Sequence, residues 1–308
     1  METPACSLDF TIGGKRIFRW VLRCPQRSCF ADLALSEVER RLEGESDQTL
    51  EEGLLRAVTV DRQWPLLQSR KGFLLYIVSR YPRYLTRFEG SFEAFLASLS
   101  GRTRGTLRRK VRRFAAVSPG EQIDWRRYES ADEITHFMQL AVPLARETYQ
   151  ARLFDGALPD SRNFEAEAMA LAAAGKLRAY LLFLEGKPVA YLYTPRHGNA
   201  WHYAFLGYDE ASASLSPGIV LQYLVHEYLF AEEKGGLFDF TEGEGGHKAL
   251  FANECVPCCD LLVLRGSPCK QLLIRAHLFW NRTVEYLRFL AERAGVKARL
   301  RRWLRRQR

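Results

Sequence analysis

The sequence predicts an α/β fold built on a mixed sheet with helices on both faces. Three observations carry this. From residue 163 to 264 the elements read helix, strand, strand, strand, helix, strand, helix, strand, so a meander feeds βαβ crossovers. Hydrophobic residues make up 47% and charged residues 26% of the 308 residues, an ordinary globular mixture with enough apolar side chain for a core. No apolar run approaches the roughly 18 residues needed to span a bilayer. The best one, Leu177 to Tyr193, is broken by Glu185-Gly186-Lys187.

In chain order, Leu8–Ile12 and Arg16–Leu22 read as strands around a Gly13-Gly14 turn. Residues 37–52 are acid-rich and read as a solvated helix or loop, and Phe73–Val78 is a short strand. Phe92, Phe95, Leu96 and Leu99 recur at helical spacing behind Ser91 as N-cap. A basic helix follows over about 104–116, with Leu107, Val111 and Phe114 on one stripe. Residues 131–150 form a helix kinked at Pro143, and Phe164 to Ala174 another, closed by Gly175. Leu177–Leu184 and Pro188–Thr194 form a hairpin. Ala200–Leu206 is a third strand, with Trp201, Tyr203 and Phe205 expected on one face and His202 and Ala204 on the other. Ser216-Pro217-Gly218 opens a long helix ended by Gly235-Gly236. Leu237–Thr241 is a short strand, Gly243–Gly246 a loop, His247–Asn253 a short helix and Cys259–Leu264 a last strand. From Pro268 onward the pattern gives two helices parted near Gly295.

Charge is concentrated. Residues 102–113 hold seven basic side chains and no acid, and residues 297–308 hold seven more and no acid. Without them the net charge of +9 becomes mildly negative. Such segments meet phosphate on a cofactor, a nucleic acid or a membrane, or they are simply solvated faces. The N-terminus lacks the basic and apolar regions of a signal peptide, so the cytoplasm is the expected compartment. Seven cysteines are then expected to stay reduced. Cys255, Cys258, Cys259, Cys269 and His247 are near one another in sequence, but the second ligand pair of a zinc site is missing, so no metal is expected.

Two segments have the makings of a site. Residues 207–218 run from a strand through small residues and hydroxyls to a helix N-terminus, where backbone N–H groups and the helix dipole favour an anion. Residues 238–248 end a strand in a glycine-rich turn with Glu242, Glu244, His247 and Lys248. A glutamate or His247 there can take a proton from an amine, and Lys248 can stabilise an oxyanion or hold an anionic substrate. There is no G-x-G-x-x-G, Walker A or G-x-S-x-G pattern, so nicotinamide binding, P-loop hydrolysis and serine hydrolysis are unsupported. His136, His202 and His226 fall within expected helices or strands and read as structural.

The stretch from Lys176 to Asn253 resembles the C-terminal part of CelD-like and FemAB-like proteins of the GNAT acyltransferase superfamily. The matching pieces are the EGKPVA hairpin, the aromatic strand ending in Gly207-Tyr208-Asp209, Ser216-Pro217-Gly218, Phe238-Asp239-Phe240 and Lys248. Upstream, SGRTRGTLRRKVRRF is similar to the basic helix these proteins carry. The resemblance implies two GNAT-like halves, the first degenerate. Residues 1–160 would be that half, 161–266 the acyltransferase domain and 267–308 basic C-terminal helices. It implies transfer of an acyl group from acyl-CoA to an amine of an amino sugar, peptide or envelope precursor. The donor's pantetheine arm would run between Ala200–Leu206 and Leu237–Thr241, giving Tyr203, Phe205, Ser216 and Gly218 as donor-binding residues and Glu242, Glu244 and Lys248 as catalytic ones. Of the usual glycine-dense pyrophosphate loop only Gly218 is present. Aminoacyl-tRNA is therefore the alternative donor, and a non-catalytic binding module the reading from another class. For residues 297–308 two readings stand. Leu300, Trp303 and Leu304 line one side of a basic amphipathic helix that tethers the enzyme to anionic membrane, or Trp303 packs and the arginines keep the end soluble.

Overall fold

The computed structural model describes residues 6–12, 15–22, 24–29, 33–46, 48–147, 158–242, 246 and 248–293. In chain order the elements are β1 (Cys6–Ile12), β2 (Lys15–Leu22), β3 (Gln26–Ser28), α1 (Leu35–Glu43), β4 (Gly53–Thr59), β5 (Leu67–Arg70) and β6 (Phe73–Arg87). Then come α2 (Phe92–Ser98), α3 (Gly101–Ala115), β7 (Trp125–Tyr128), α4 (Ala131–Glu147), α5 (Arg162–Ala173), β8 (Leu177–Leu184), β9 (Lys187–His197), β10 (Ala200–His202) and β11 (Phe205–Tyr208). Last are α6 (Pro217–Glu232), β12 (Leu237–Asp239), β13 (Glu254–Arg265) and α7 (Pro268–Arg293). The turn at Gly13-Gly14, Glu244, His247, the end of the 131–150 helix and residues 297–308 lie outside the described residues.

The chain divides into two compact units, Met1–Tyr81 with Pro257–Arg308, and Pro82–Val256. Two packings go with this division. The basic helix α3 packs on α6, which places it with the later residues. From Cys258 onward β13 pairs antiparallel with β4, which returns it to the first unit.

In the first unit β3 pairs parallel with β4, and β5 antiparallel with β6. Alternation assigns the faces. Leu75, Ile77, Leu261 and Val263 pack with α1, whereas Leu74, Tyr76, Leu262 and Leu264 pack with the β1–β2 hairpin and Ile274 of α7. Strand β6 runs beyond the expected Phe73–Val78, through Pro82 to Arg87.

In the second unit the sheet order is β6, β12, β10, β9, β8, β7, with β11 also on β9. This is the mixed sheet expected from the sequence. Residues 180 and 182 of β8 face a core made with α2, α3 and α6, while 179, 181 and 183 face one made with α4 and α5. The Ser91 hydroxyl accepts the Ala94 N–H at 3.1 Å and so caps α2 as expected. The β8–β9 turn is Glu185-Gly186, both left-handed (φ 50° and 76°), which suits the twist of a two-residue hairpin.

The expected strand Ala200–Leu206 is two strands. Four steps from Trp201 to Phe205 oppose three from Arg196 to Tyr193 on β9, which is a bulge. The extra residue changes the phase. Trp201 and Tyr203 belong to the core on the α6 side, but Phe205 packs on Tyr193 and Phe164 on the other side. The expectation of one face for all three aromatics is corrected accordingly.

Candidate functional site

The bulge parts two strands. β10 and β12 pair in parallel for three residues, ending at His202 opposite Asp239. Tyr203 N–H still donates to Asp239 O at 2.8 Å. Beyond that, β11 follows β9 alone, with Ala204 N–H given to Tyr193 O. On the other side Phe240 N–H turns to Tyr84 O, and Thr241 is held left-handed at φ 59°. Such a conformation is costly for a β-branched residue and needs fixed partners. One of them is Asp239, whose Oδ1 accepts the Thr241 N–H at 2.8 Å.

Asp239 is wholly buried and pairs with Arg83 of β6, itself 5% exposed. Arg83 Nε donates to Oδ1 at 2.9 Å and to Oδ2 at 3.0 Å, and Nη2 donates to Oδ2 as well. His202 Nδ1 lies 3.7 Å from the same carboxylate. Burial pushes the His202 imidazole down to about 4, although Asp239 opposes this, so the ring is neutral at neutral pH. Lys248 is buried on a single 3₁₀ turn, Lys248–Leu250, and its Nζ donates to Glu242 O at 2.6 Å. Desolvation holds its ammonium below the usual lysine range, with Asp239 and Glu242 pulling upward and Arg83 downward. Lys248 thus answers electrostatically to the Arg83–Asp239 pair and is bonded to the Glu242 backbone. The Glu242 side chain is exposed.

At the start of α6, Ser216 is left-handed (φ 57°, ψ 49°) and Pro217 occupies the first turn. Lys110 Nζ of the basic helix donates to Ser216 Oγ at 2.5 Å. Burial, followed by the charges of Arg109 and Arg113, holds the Lys110 ammonium below its ordinary range. A cation, a hydroxyl and the positive end of a 16-residue helix therefore meet at one point. The connection from β11 is a 3₁₀ stretch, Glu210–Leu215, in which Asp209 accepts from Ala211 N and Ser212 Oγ. Gly218 has a packing reason: a Cβ there would lie 3.0 Å from Leu206 Cδ2 and 3.4 Å from Tyr208 Cδ1. Tyr203 lies beside the parting strands, with its ring against Phe238 and Phe240.

The structure thus brings Lys248 and the Glu242 backbone together near Asp239, and sets Ser216 and Gly218 at the helix start. It does not set Phe205 beside Tyr203. The sequence does not single out Arg83 or Lys110, gives Asp239 only as part of Phe238-Asp239-Phe240, and places His202 among the structural histidines. The only local signal was Asp239 between Phe238 and Phe240, a carboxylate on a strand with large apolar neighbours. Its partner is 156 positions away. Among the described residues no group of three His, Cys, Asp or Glu side chains is arranged to hold a metal, and no helix is long and apolar enough to cross a membrane.

Residues 101–249 match the model of an acetyltransferase (GNAT) domain. A conserved protein of unknown function from Bacteroides thetaiotaomicron VPI-5482 is similar in structure, with TM-score 0.51 and 16% identity over 75% of this chain and 76% of that one. FemX is similar as well, with TM-score 0.52 and 12% identity over 88% and 90%. At these identities the likeness is one of fold. No curated protein matches the chain by sequence.

Proposed function

We propose that the chain is an N-acyltransferase of the GNAT superfamily, of a FemAB-like kind, moving an acyl group from acyl-CoA to an amine; the match of residues 101–249 to an acetyltransferase (GNAT) domain supports this. The amine belongs to an amino sugar, a peptide or an envelope precursor. The observation that supports this most is the parting of β10–β11 from β12. It leaves backbone edges to receive an extended pantetheine arm, with cationic and hydroxyl groups near the start of α6 for the donor's phosphates.

The thioester supplies an activated carbonyl and a thiolate leaving group. The residues of this chain do the rest. Lys110, Ser216 and the α6 N-terminus hold the phosphates. Lys248 gives one N–H to Glu242 O and has two more donors for the oxyanion that forms on the carbonyl. Glu242, with Glu244 two residues on, accepts the proton that the acceptor ammonium must lose before its nitrogen attacks. A C–N bond forms, the C–S bond breaks and the thiolate is protonated. Arg83 and Asp239 hold Thr241 and set the field at Lys248.

One observation favours aminoacyl-tRNA as a second reading. Arg102, Arg109, Arg112 and Arg113 are exposed along α3, a longer basic face than one pyrophosphate needs. Free-thiol release from a panel of acyl-CoAs with amine acceptors tests the first reading. We expect turnover that Lys248→Ala lowers by roughly two orders of magnitude, the size of a lost oxyanion donor. Silence with every acyl-CoA but transfer from charged tRNA would select the second reading. Binding without transfer from either donor would leave a scaffold that lacks chemistry.

A further inference from the structure

Helix α7 has two different faces. Its inner face is built into the first unit. Ile274 is fully buried, His277 Nδ1 meets the Tyr76 hydroxyl at 2.8 Å, and Trp280 Nε1 donates to Thr11 O at 3.1 Å. Phe10 rests edge-on against both His277 and Trp280. Its outer face carries Leu272 (70% exposed), Phe279 (73%) and Tyr286 (61%), each seven residues apart and so on one stripe. Phe289 and Leu290 extend the stripe and are also exposed. A run of large apolar side chains in water along one helix marks an interaction surface rather than chance exposure.

The charges on the stripe identify what covers it. Arg275 stands between Leu272 and Phe279, and Arg282 between Phe279 and Tyr286, all of them exposed. A second copy of the same stripe would bring these arginines together in a self-complementary contact, with Glu285 the one exposed acid beside them among the described residues. Such a contact would desolvate guanidinium groups without enough partners. An anionic lipid surface has the opposite requirement. It receives rings and leucines at headgroup depth and leaves each guanidinium among phosphates. The sequence beyond α7 adds seven basic side chains and no acid over residues 294–308, so positive charge accumulates at this end of the chain. We propose that the outer face of α7 is a peripheral membrane-binding surface for bilayers rich in anionic phospholipid.

The test is sedimentation of the purified full chain with phosphatidylcholine vesicles, with and without phosphatidylglycerol, at low and physiological salt. We expect pelleting only with the anionic vesicles, weakened by salt. The double variant Arg275→Gln/Arg282→Gln is expected to lower the partition constant about 25-fold, near fivefold per basic residue. Phe279→Ser/Tyr286→Ser is expected to lower it about tenfold or more through lost apolar contact. All four positions are exposed, so the melting temperature is expected to stay put. A readout that needs no variant is quenching of tryptophan emission by brominated lipid. Failure to pellet with anionic vesicles at low salt would overturn the proposal. So would pelleting that neither double variant changes, because residues 297–308 would then act alone. A concentration-dependent dimer dissolved by Phe279→Ser/Tyr286→Ser, without vesicle binding, would assign the face to a second copy instead.

Discussion

The Arg83–Asp239 pair offers the sharpest perturbation. Asp239→Asn preserves shape and an acceptor for the Thr241 N–H, but removes the charge facing a guanidinium that is 5% exposed. Three donor–acceptor contacts join the two side chains, and the desolvation of Arg83 is offset by them. Breaking a buried pair by removing one charge costs about 3–5 kcal/mol. For a unit of this size that corresponds to a fall in melting temperature of about 10 °C. Thermal unfolding followed by tryptophan fluorescence reads it, with the transition assigned by Trp125 and Trp201, which lie in the second unit. The companion variant Arg83→Met/Asp239→Leu removes both charges and is expected to return to within about 1 kcal/mol of the parent, since apolar replacements of buried pairs are often neutral. A second effect follows from the field. Asp239 supports the Lys248 ammonium, so its loss moves Lys248 further down and shifts the alkaline limb of the rate profile to lower pH. A fall below about 1 kcal/mol in Asp239→Asn, the median of a solvated surface pair, would refute the claim that this pair is sealed from water.

Other outcomes follow from the same structure. His202 is held at about 4 and His226 at about 3 by burial, whereas both take up protons near 6.5 when unfolded. The unfolded chain therefore binds more protons between about pH 6.5 and 4, and stability falls as pH drops through that window. Urea midpoints measured across it should show a contribution of about 3 kcal/mol from His202, flattened in His202→Gln. Gly207→Ala places a Cβ 2.4 Å from Tyr191 Cε1 and should lower stability by about 1–3 kcal/mol in urea unfolding. Lys110→Glu should weaken donor binding about tenfold or more, read by calorimetry, with little change in melting temperature. Maleimide labelling of the native protein should reach the exposed Cys255 and Cys269 first, with Cys6 and Cys259 slow because they are buried and their thiols are pushed up to about 12.

Local chemistry made much of the fold readable. Ser91 ahead of a helical spacing, Glu185-Gly186 between two apolar runs, and Pro217 at a helix start all act within a few residues, and each is found as expected. The break at Tyr203-Ala204 was not readable, because neither residue interrupts a strand pattern. The bulge lies where a segment held by both β9 and β12 at its start goes on with β9 alone from Phe205. Gly218 illustrates a second limit. A glycine in the first turn of a helix looks the same whether a phosphate or Leu206 approaches it, and here Leu206 does. The Arg83–Asp239 pair joins residues far apart in the chain, and nothing in the sequence near Arg83 separates it from the many solvated arginines. Lys248 was legible as a candidate because it stands beside glycines and carboxylates at a strand end, but its burial came from the fold.

The most direct test of the account is hydrogen exchange of the full chain with and without a saturating, non-transferable acyl-CoA analogue. Slowed amide exchange is expected over residues 203–208, where the chain parts from β12 and follows β9 alone, and at the start of α6, residues 218–220, where Lys110 meets Ser216. Bound analogue with no protection in either segment, or with protection confined to other parts of the chain, would contradict it.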